Sequence, residues 1–407
     1  MTNGELEPPS IDDVKTAFSR ISTYVYKTPL DKSRSLSSLS GADVYTKDEN
    51  LQRTGSFKVR GALNKIRSSD PSLLARGVVT ASAGNHAQGV AYACSAVGAH
   101  SKIFMPEGTP LIKVEATRAY GGSVVLQGRG FEEAYEAAKL YQAQTGAMFV
   151  HPFEDRQVMA GQGTIGLELA ADLDEFDAVV VPIGGGGLIV GLGRALKALR
   201  PSVRVYGVQS KGADAMARSI KTGVLVKLDD TRTFAEGIAV KSPSKRMLEL
   251  VSQVVDDVAV VDDDDISYAI LTLMERSKLV VEGAGAASVA AVLSSDLNLK
   301  GKRVVCLLSG GNIDMLTLDR VLAKGLAKAG RRCAFEITLR DRPGELSRVL
   351  EIIAAGGGNV ATIDHDRSDR QVPVGYAKVS VAVETNGFSH QEALRQALVR
   401  NGFNVEK

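Results

Sequence analysis

The sequence is poor in the residues that build disulfide frames and metal sites. Its three cysteines, Cys94, Cys306 and Cys333, stand far apart, and none forms a CxxC pair. They read as small apolar residues in a reducing compartment. The five histidines, His86, His100, His151, His365 and His390, are equally scattered, which argues against zinc. An excess of one charge is missing too. Lys and Arg number 49 against 47 Asp and Glu, a net charge of +2, and no basic block gathers into a stripe. Neither nucleic acid nor a membrane surface is therefore expected as a partner. No run approaches the apolar length that spans a bilayer. The N-terminus, Met1 to Pro9, lacks the basic start and apolar stretch of a signal peptide. The cytoplasm is the expected location.

What is present is the composition of an ordinary globular protein. Over 407 residues, 44% hydrophobic and 24% charged content fits two or three domains with a sizeable core. From about residue 74 to 325, short apolar runs alternate with longer helical periods. Strands are expected at 78–81, 103–105, 123–126, 178–183, 203–208 and 303–308. A helix is expected over 131–144, where Phe131, Ala134, Ala138 and Tyr141 share a face. Such alternation predicts parallel sheets covered by helices, the α/β class. After Arg331-Arg332 the pattern becomes strand (334–339), helix (345–355), two strands (360–366 and 376–383), helix (389–400) and a final short strand. That order is the ferredoxin-like plan. The stretch 326–332 is the expected linker between a domain at 1–325 and one at 333–407, with a small lobe at roughly 52–155 inserted in the first.

Four segments carry candidate chemistry. In Ser56-Phe57-Lys58-Val59-Arg60-Gly61, a lysine beside an aromatic residue could be desolvated, which lowers its pKa and frees its amine. Most lysines are solvated surface charges, so this signal alone is weak. In Ser82-Ala83-Gly84-Asn85-His86, between a strand and a helix, Ser82 or Asn85 is a candidate cap, and the helix N–H groups are a candidate anion site. His86 reads as a structural hydrogen-bonding residue. The run Gly184-Gly185-Gly186-Gly187-Leu188 follows a strand and opens a helix. Its entropic cost suggests a backbone that approaches a phosphate closely. No Gly-Lys-Ser/Thr follows, and the glycine spacing and Gln209 fail the dinucleotide pattern. Ser309, in Ser309-Gly310-Gly311-Asn312, ends a strand where ligands of open α/β sheets sit.

Together, and in this order, these segments closely resemble the threonine dehydratase (threonine ammonia-lyase) family of fold-type II pyridoxal-phosphate (PLP) enzymes. Ala160-Gly161-Gln162-Gly163-Thr164 and Glu282-Gly283-Ala284-Gly285 extend the likeness over most of residues 15 to 325. The tail around Asp341-Arg342-Pro343-Gly344-Glu345-Leu346 resembles an ACT domain. The resemblance implies a two-lobed α/β fold of the tryptophan synthase β type, with a C-terminal ferredoxin-like domain. It implies that Lys58, beside Phe57, binds PLP covalently and acts as catalytic base. The cofactor phosphate would lie against Gly184, Gly185, Gly186, Gly187 and Leu188. Asn85 would meet the phenolic oxygen, and Ser309 the pyridine nitrogen. The loop Ser82, Ala83, Gly84, Asn85 and His86 would grip the substrate carboxylate. The implied reaction takes L-threonine to 2-oxobutanoate and ammonia, and L-serine to pyruvate.

Serine racemases of this fold resemble Ser-Ser-Gly-Asn-His at the substrate loop. Ala83 cannot move a proton, so racemisation is the second reading. β-Replacement ranks below it, and a sensor that has lost activity is the reading from another class. The ACT likeness implies an effector such as isoleucine or valine near Asp341, Gly344 and Asn359, and a homodimer or homotetramer. Glu236 is a candidate ligand for a monovalent or divalent cation.

Overall fold

A computed structural model describes residues 6–294, 297–368 and 372–406. The chain divides into two compact units, one running to Thr317 and the other from Leu318. In the first, a six-stranded sheet is built from β1 (Leu30–Lys32), β2 (Asp43–Lys47), β7 (Ala178–Pro182), β8 (Arg204–Ser210), β9 (Asp257–Val261) and β10 (Arg303–Leu307). Its order is β1-β2-β10-β7-β8-β9. Only the β1–β2 pair is antiparallel. Every residue of β7 is buried, as expected of a parallel strand covered on both faces. Val179, Val181, Val205 and Leu307 of this sheet share one core with Ile189 and Leu192 of the helix Gly187–Leu199.

Between β2 and β7 the chain builds a second, all-parallel sheet. Its order is β5-β4-β3-β6, from β3 (Val78–Ala81), β4 (Ser101–Met105), β5 (Ser123–Leu126) and β6 (Met148–Phe149). The helix Lys58–Arg67 contacts both the helix Asn85–Ser95 of this lobe and the helix Arg156–Asp172. Val59, Leu63 and Ile66 bury one of its faces with Val90 and Val158 from those two helices. Lys58 is the first residue of that helix, so its backbone is anchored by packing on both sides.

The second unit is β11 (Arg332–Arg340), a helix Glu345–Ala355, β12 (Asn359–Asp366), β13 (Tyr376–Glu384), a helix Phe388–Arg400 and β14 (Asn404–Glu406). The sheet is antiparallel, ordered β12-β13-β11-β14. Alternate residues of β13 are buried, so one face carries the core with Val349, Ile353, Leu394 and Leu398 from the helices. This is the ferredoxin-like plan. The expected linker is shorter than the sequence suggests. A helix occupies Met315–Lys328 and β11 begins at Arg332, leaving only 329–331 between them. Leu318, Val321 and Gly325 are buried at helical spacing, and that period carries through the basic stretch read as linker.

Candidate active site

The loop before Lys58 is tied to the loop after β10. Phe57 N donates to the Ser309 carbonyl at 3.1 Å, and Gly311 N donates to the Gly55 carbonyl at 2.9 Å. Thr54 lies in the left-handed region at φ 63°, an uncommon conformation for a β-branched residue. Backbone strain of this kind collects at functional sites. The Lys58 side chain is half-buried, and its Nζ donates to the Pro152 carbonyl at 3.0 Å. No carboxylate reaches salt-bridge distance of it among the described residues. Burial pulls the amine down to about 8, against the opposing charge of Glu282.

The Ser82–His86 loop differs from its expected capping role. The helix Asn85–Ser95 begins with Gly84 at its N-cap and has no side-chain cap. Ser82 Oγ instead accepts from Gly84 N at 3.2 Å, a turn within the loop. The Asn85 side chain points away to other partners. Its Nδ2 donates to Glu282 Oε1 at 2.7 Å, and its Oδ1 accepts from Asn312 Nδ2 at 2.8 Å. The helix N–H groups thus stay open, as an anion site requires. His86 is structural: Nε2 lies 3.0 Å from the Val150 carbonyl, and burial pushes the imidazole down to about 3. His151 is held neutral in the same way, at about 4. Its Nδ1 accepts from Phe153 N at 3.3 Å and Glu154 N at 2.8 Å, shaping the turn that presents the Pro152 carbonyl to Lys58.

The four glycines follow β7. Gly186, at φ 94°, is the N-cap of the helix Gly187–Leu199, which no side chain caps. The N–H groups of Gly184, Gly185 and Gly186 find no acceptor among the described residues. A Cβ on Gly185 would lie 2.4 Å from the Phe153 ring, so packing as well as ligand approach demands glycine here. Ser309 is 2% exposed, and its hydroxyl has no hydrogen-bond partner among the described residues. Open N–H groups at a helix start, a lone buried hydroxyl and an amine with no counter-ion together form a donor set suited to PLP. The residues fit the cofactor.

Glu282, Asn312, Pro152 and Phe153 belong to this site, although the sequence reading assigned them no role. Burial raises the Glu282 carboxyl to about 7, while the Asn85 hydrogen bond pulls it back. Glu282 and Asn312 did lie in motifs that carry the family resemblance, which was the available signal. Glu236 pairs with Lys113, and no group of three or more His, Cys, Asp or Glu residues suited to a metal occurs among the described residues.

The proposed effector residues do not converge within one chain. Asp341 pairs with Arg367 at 3.0 Å, beyond the end of β12. Asn359, at the start of β12, donates to Glu384 at 2.9 Å. The 8 residues of β12 separate the two positions by roughly 25 Å. Gly344, at φ 94°, is the N-cap of the helix Glu345–Ala355.

Comparison with known proteins points the same way. Residues 21–310 match the family model of pyridoxal-phosphate dependent enzymes. An L-threonine ammonia-lyase of Thermotoga maritima is 47% identical over 97% of this chain and 98% of its own. This chain is a fold-type II pyridoxal-phosphate enzyme of the threonine dehydratase (threonine ammonia-lyase) family. Among solved structures, a threonine deaminase from T.th. superposes on this enzyme with a TM-score of 0.72. It is 42% identical, covering 75% of this chain and 99% of its own. Maize serine racemase gives a TM-score of 0.74 at 37% identity, covering 79% and 99%. The fold is therefore shared by eliminating and racemising enzymes, and individual residues must separate them. No described helix is long and apolar enough to cross a membrane.

Proposed function

We propose that this enzyme removes water and ammonia from L-threonine to give 2-oxobutanoate, and from L-serine to give pyruvate. The observation that carries the reading is the Lys58 amine, which has a carbonyl for a partner, no carboxylate in contact, and a pKa of about 8. Bound pyridoxal phosphate supplies the electron sink that makes a Cα proton removable. Lys58 would hold the cofactor and serve as the general base that takes that proton. The N–H groups of Gly184, Gly185, Gly186, Gly187 and Leu188 would receive the phosphate at a helix start. The open N–H groups of the Ser82–His86 loop hold the substrate carboxylate, which orients the Cα–H bond toward Lys58.

Ser309 would hold the pyridine nitrogen. A hydroxyl would not hold that nitrogen protonated as a carboxylate would, which favours prompt loss of the β-hydroxyl, and Lys58 can hand that group the proton taken from Cα so that it leaves as water. The released enamine tautomerises and hydrolyses to the 2-oxo acid and ammonia. Racemisation is the competing outcome, given the likeness to maize serine racemase. Ala83 disfavours it, because a methyl group cannot return a proton to the opposite face of Cα.

The C-terminal unit is read as an ACT module for an effector such as isoleucine or valine. Its loop at Asp341 and Gly344 and its turn at Asn359 lie at opposite ends of the sheet, so they share a site only between paired copies. This implies a homodimer or homotetramer. The test of the main reading is 2-oxobutanoate release from L-threonine by the purified holoenzyme. Turnover is expected, and a cofactor-loaded enzyme that yields no 2-oxo acid from threonine or serine would overturn elimination. Inhibition by isoleucine or valine that disappears on removal of residues 333–407 tests the module.

A further inference from the structure

An asparagine can present either its nitrogen or its oxygen, and Asn85 is surrounded by groups that permit only one choice. Thr54 fixes the first amide. Its carbonyl, turned by the left-handed backbone at φ 63°, accepts from Asn312 Nδ2 at 2.7 Å. A carbonyl cannot donate, so the nitrogen of Asn312 must face this way. The second hydrogen on that nitrogen is directed to Asn85 at 2.8 Å, which requires the oxygen of Asn85 there. The nitrogen of Asn85 is then left for Glu282 Oε1 at 2.7 Å, an acceptor when ionised. Reversing the Asn85 amide would set two N–H groups against each other at Asn312 and two acceptors against each other at Glu282. The loops concerned are also stitched together, since Glu282 N donates to the Gly310 carbonyl at 3.0 Å and Ser56 bridges to Gly310.

We propose that Asn312 and Glu282 are positioning residues that clamp the Asn85 amide, so that its nitrogen rather than its oxygen faces the phenolic oxygen of the bound cofactor. This rests on the reading that Asn85 meets that oxygen. Glu282 uses one of the two Asn85 amide hydrogens, and the other remains for the cofactor. An N–H donor at that place favours the unprotonated phenolic oxygen, because hydrogen bonds to an ionised acceptor are the stronger kind. The clamp therefore sets the protonation of the cofactor, without touching it.

The experiment compares the absorbance of purified holoenzymes without substrate. The ratio of the visible to the near-ultraviolet cofactor band reports whether the phenolic oxygen carries a proton. Asn312→Asp keeps the shape but removes both N–H groups, so Asp and Glu282 compete for the Asn85 nitrogen, which is no longer held toward the cofactor. The expected result is a loss of the visible band in favour of the near-ultraviolet one. PLP binding should weaken about tenfold, which is about 1.4 kcal/mol. Asn312→Ala frees the amide without adding an acceptor and gives an intermediate ratio, which keeps the test open if the aspartate variant folds poorly. Glu282→Gln still offers an acceptor oxygen, so the ratio should shift less than in Asn312→Asp.

Wild-type ratios in both Asn312 variants, alongside a shift in Asn85→Ala, would overturn the clamp alone. A wild-type ratio in Asn85→Ala would overturn the Asn85 contact and the clamp with it. A shift in Glu282→Gln as large as that in Asn312→Asp would assign the effect to lost charge and overturn the orientation argument. None of these readings depends on threonine turnover.

Discussion

Lys58 and Arg60 stand two residues apart on one helix, and their surroundings are opposites. Arg60 is fully buried and saturated with carboxylate. Its guanidinium meets Glu49 at 2.7 and 2.8 Å and Glu168 at 2.6 and 3.1 Å. Lys47 closes the cluster on Glu168 at 2.6 Å, and Thr28 Oγ1 donates to Glu49 at 2.6 Å. Two cations and two carboxylates cancel, so no net charge is left in the interior. Burial alone would raise the Glu49 carboxyl, yet Arg60 holds it below its ordinary value. Lys58 has no such partner, and burial pulls its amine down to about 8. The chain thus fixes the helix with a charge it has fully paired, and leaves unpaired the charge proposed to react. The difference between anchor and reagent lies in the partners and not in the helix.

The largest effect that could break this comparison is in Lys58→Ala. Turnover should fall about 10³-fold or more, while the urea midpoint of the apoprotein at neutral pH is not lowered. A large loss of stability there would make Lys58 a second anchor. Next comes Arg60→Met, which strands Glu49 and Glu168 without a counter-charge. Breaking a buried pair from one side costs about 3–5 kcal/mol, measured by urea unfolding. Little change would mean that water enters the cluster.

The third effect separates the two cations by pH. Capture of added PLP by the apoprotein requires the neutral Lys58 amine, whose pKa lies below the ordinary lysine value. The rate should rise about tenfold per pH unit below about 8 and level off above it. A rate that keeps rising to pH about 10, the ordinary lysine range, would show a solvated amine. The smallest effect is expected in Ala83→Ser. It should add a minor racemase activity on L-serine, seen by chiral chromatography, with elimination still dominant. An unchanged product would move the racemase determinant elsewhere in the fold.

Most of the architecture was legible from local patterns. The strand at 78–81 and the helix at 345–355 fall where apolar periodicity places them, because those segments bury one face or both. The short strands β1 and β6, with 3 and 2 residues, are too brief to show a period. In β9, exposed and buried residues mix without clean alternation. The candidate site was proposed from motifs: Lys58, the glycine run, Asn85 and Ser309 each sit in a recognisable segment. What the sequence hid is the partnership between segments. Asn85 and Glu282 are 197 residues apart, and Arg60 and Glu168 are 108 apart. Nothing local marks such pairs, since a glutamate ending a loop reads as solvated until the fold buries it. The caps expected at Ser82 or Asn85 failed for the same reason. Asn85 is drawn across the site by Glu282 and Asn312, which outcompete its own helix N-terminus.

The most direct test of the central claim is borohydride reduction of the holoenzyme, followed by mass mapping of its peptides. The expected result is the mass of a reduced pyridoxyl phosphate on the peptide bearing Lys58, and on no other lysine. The same mass on a different lysine, with Lys58 unmodified, would contradict it.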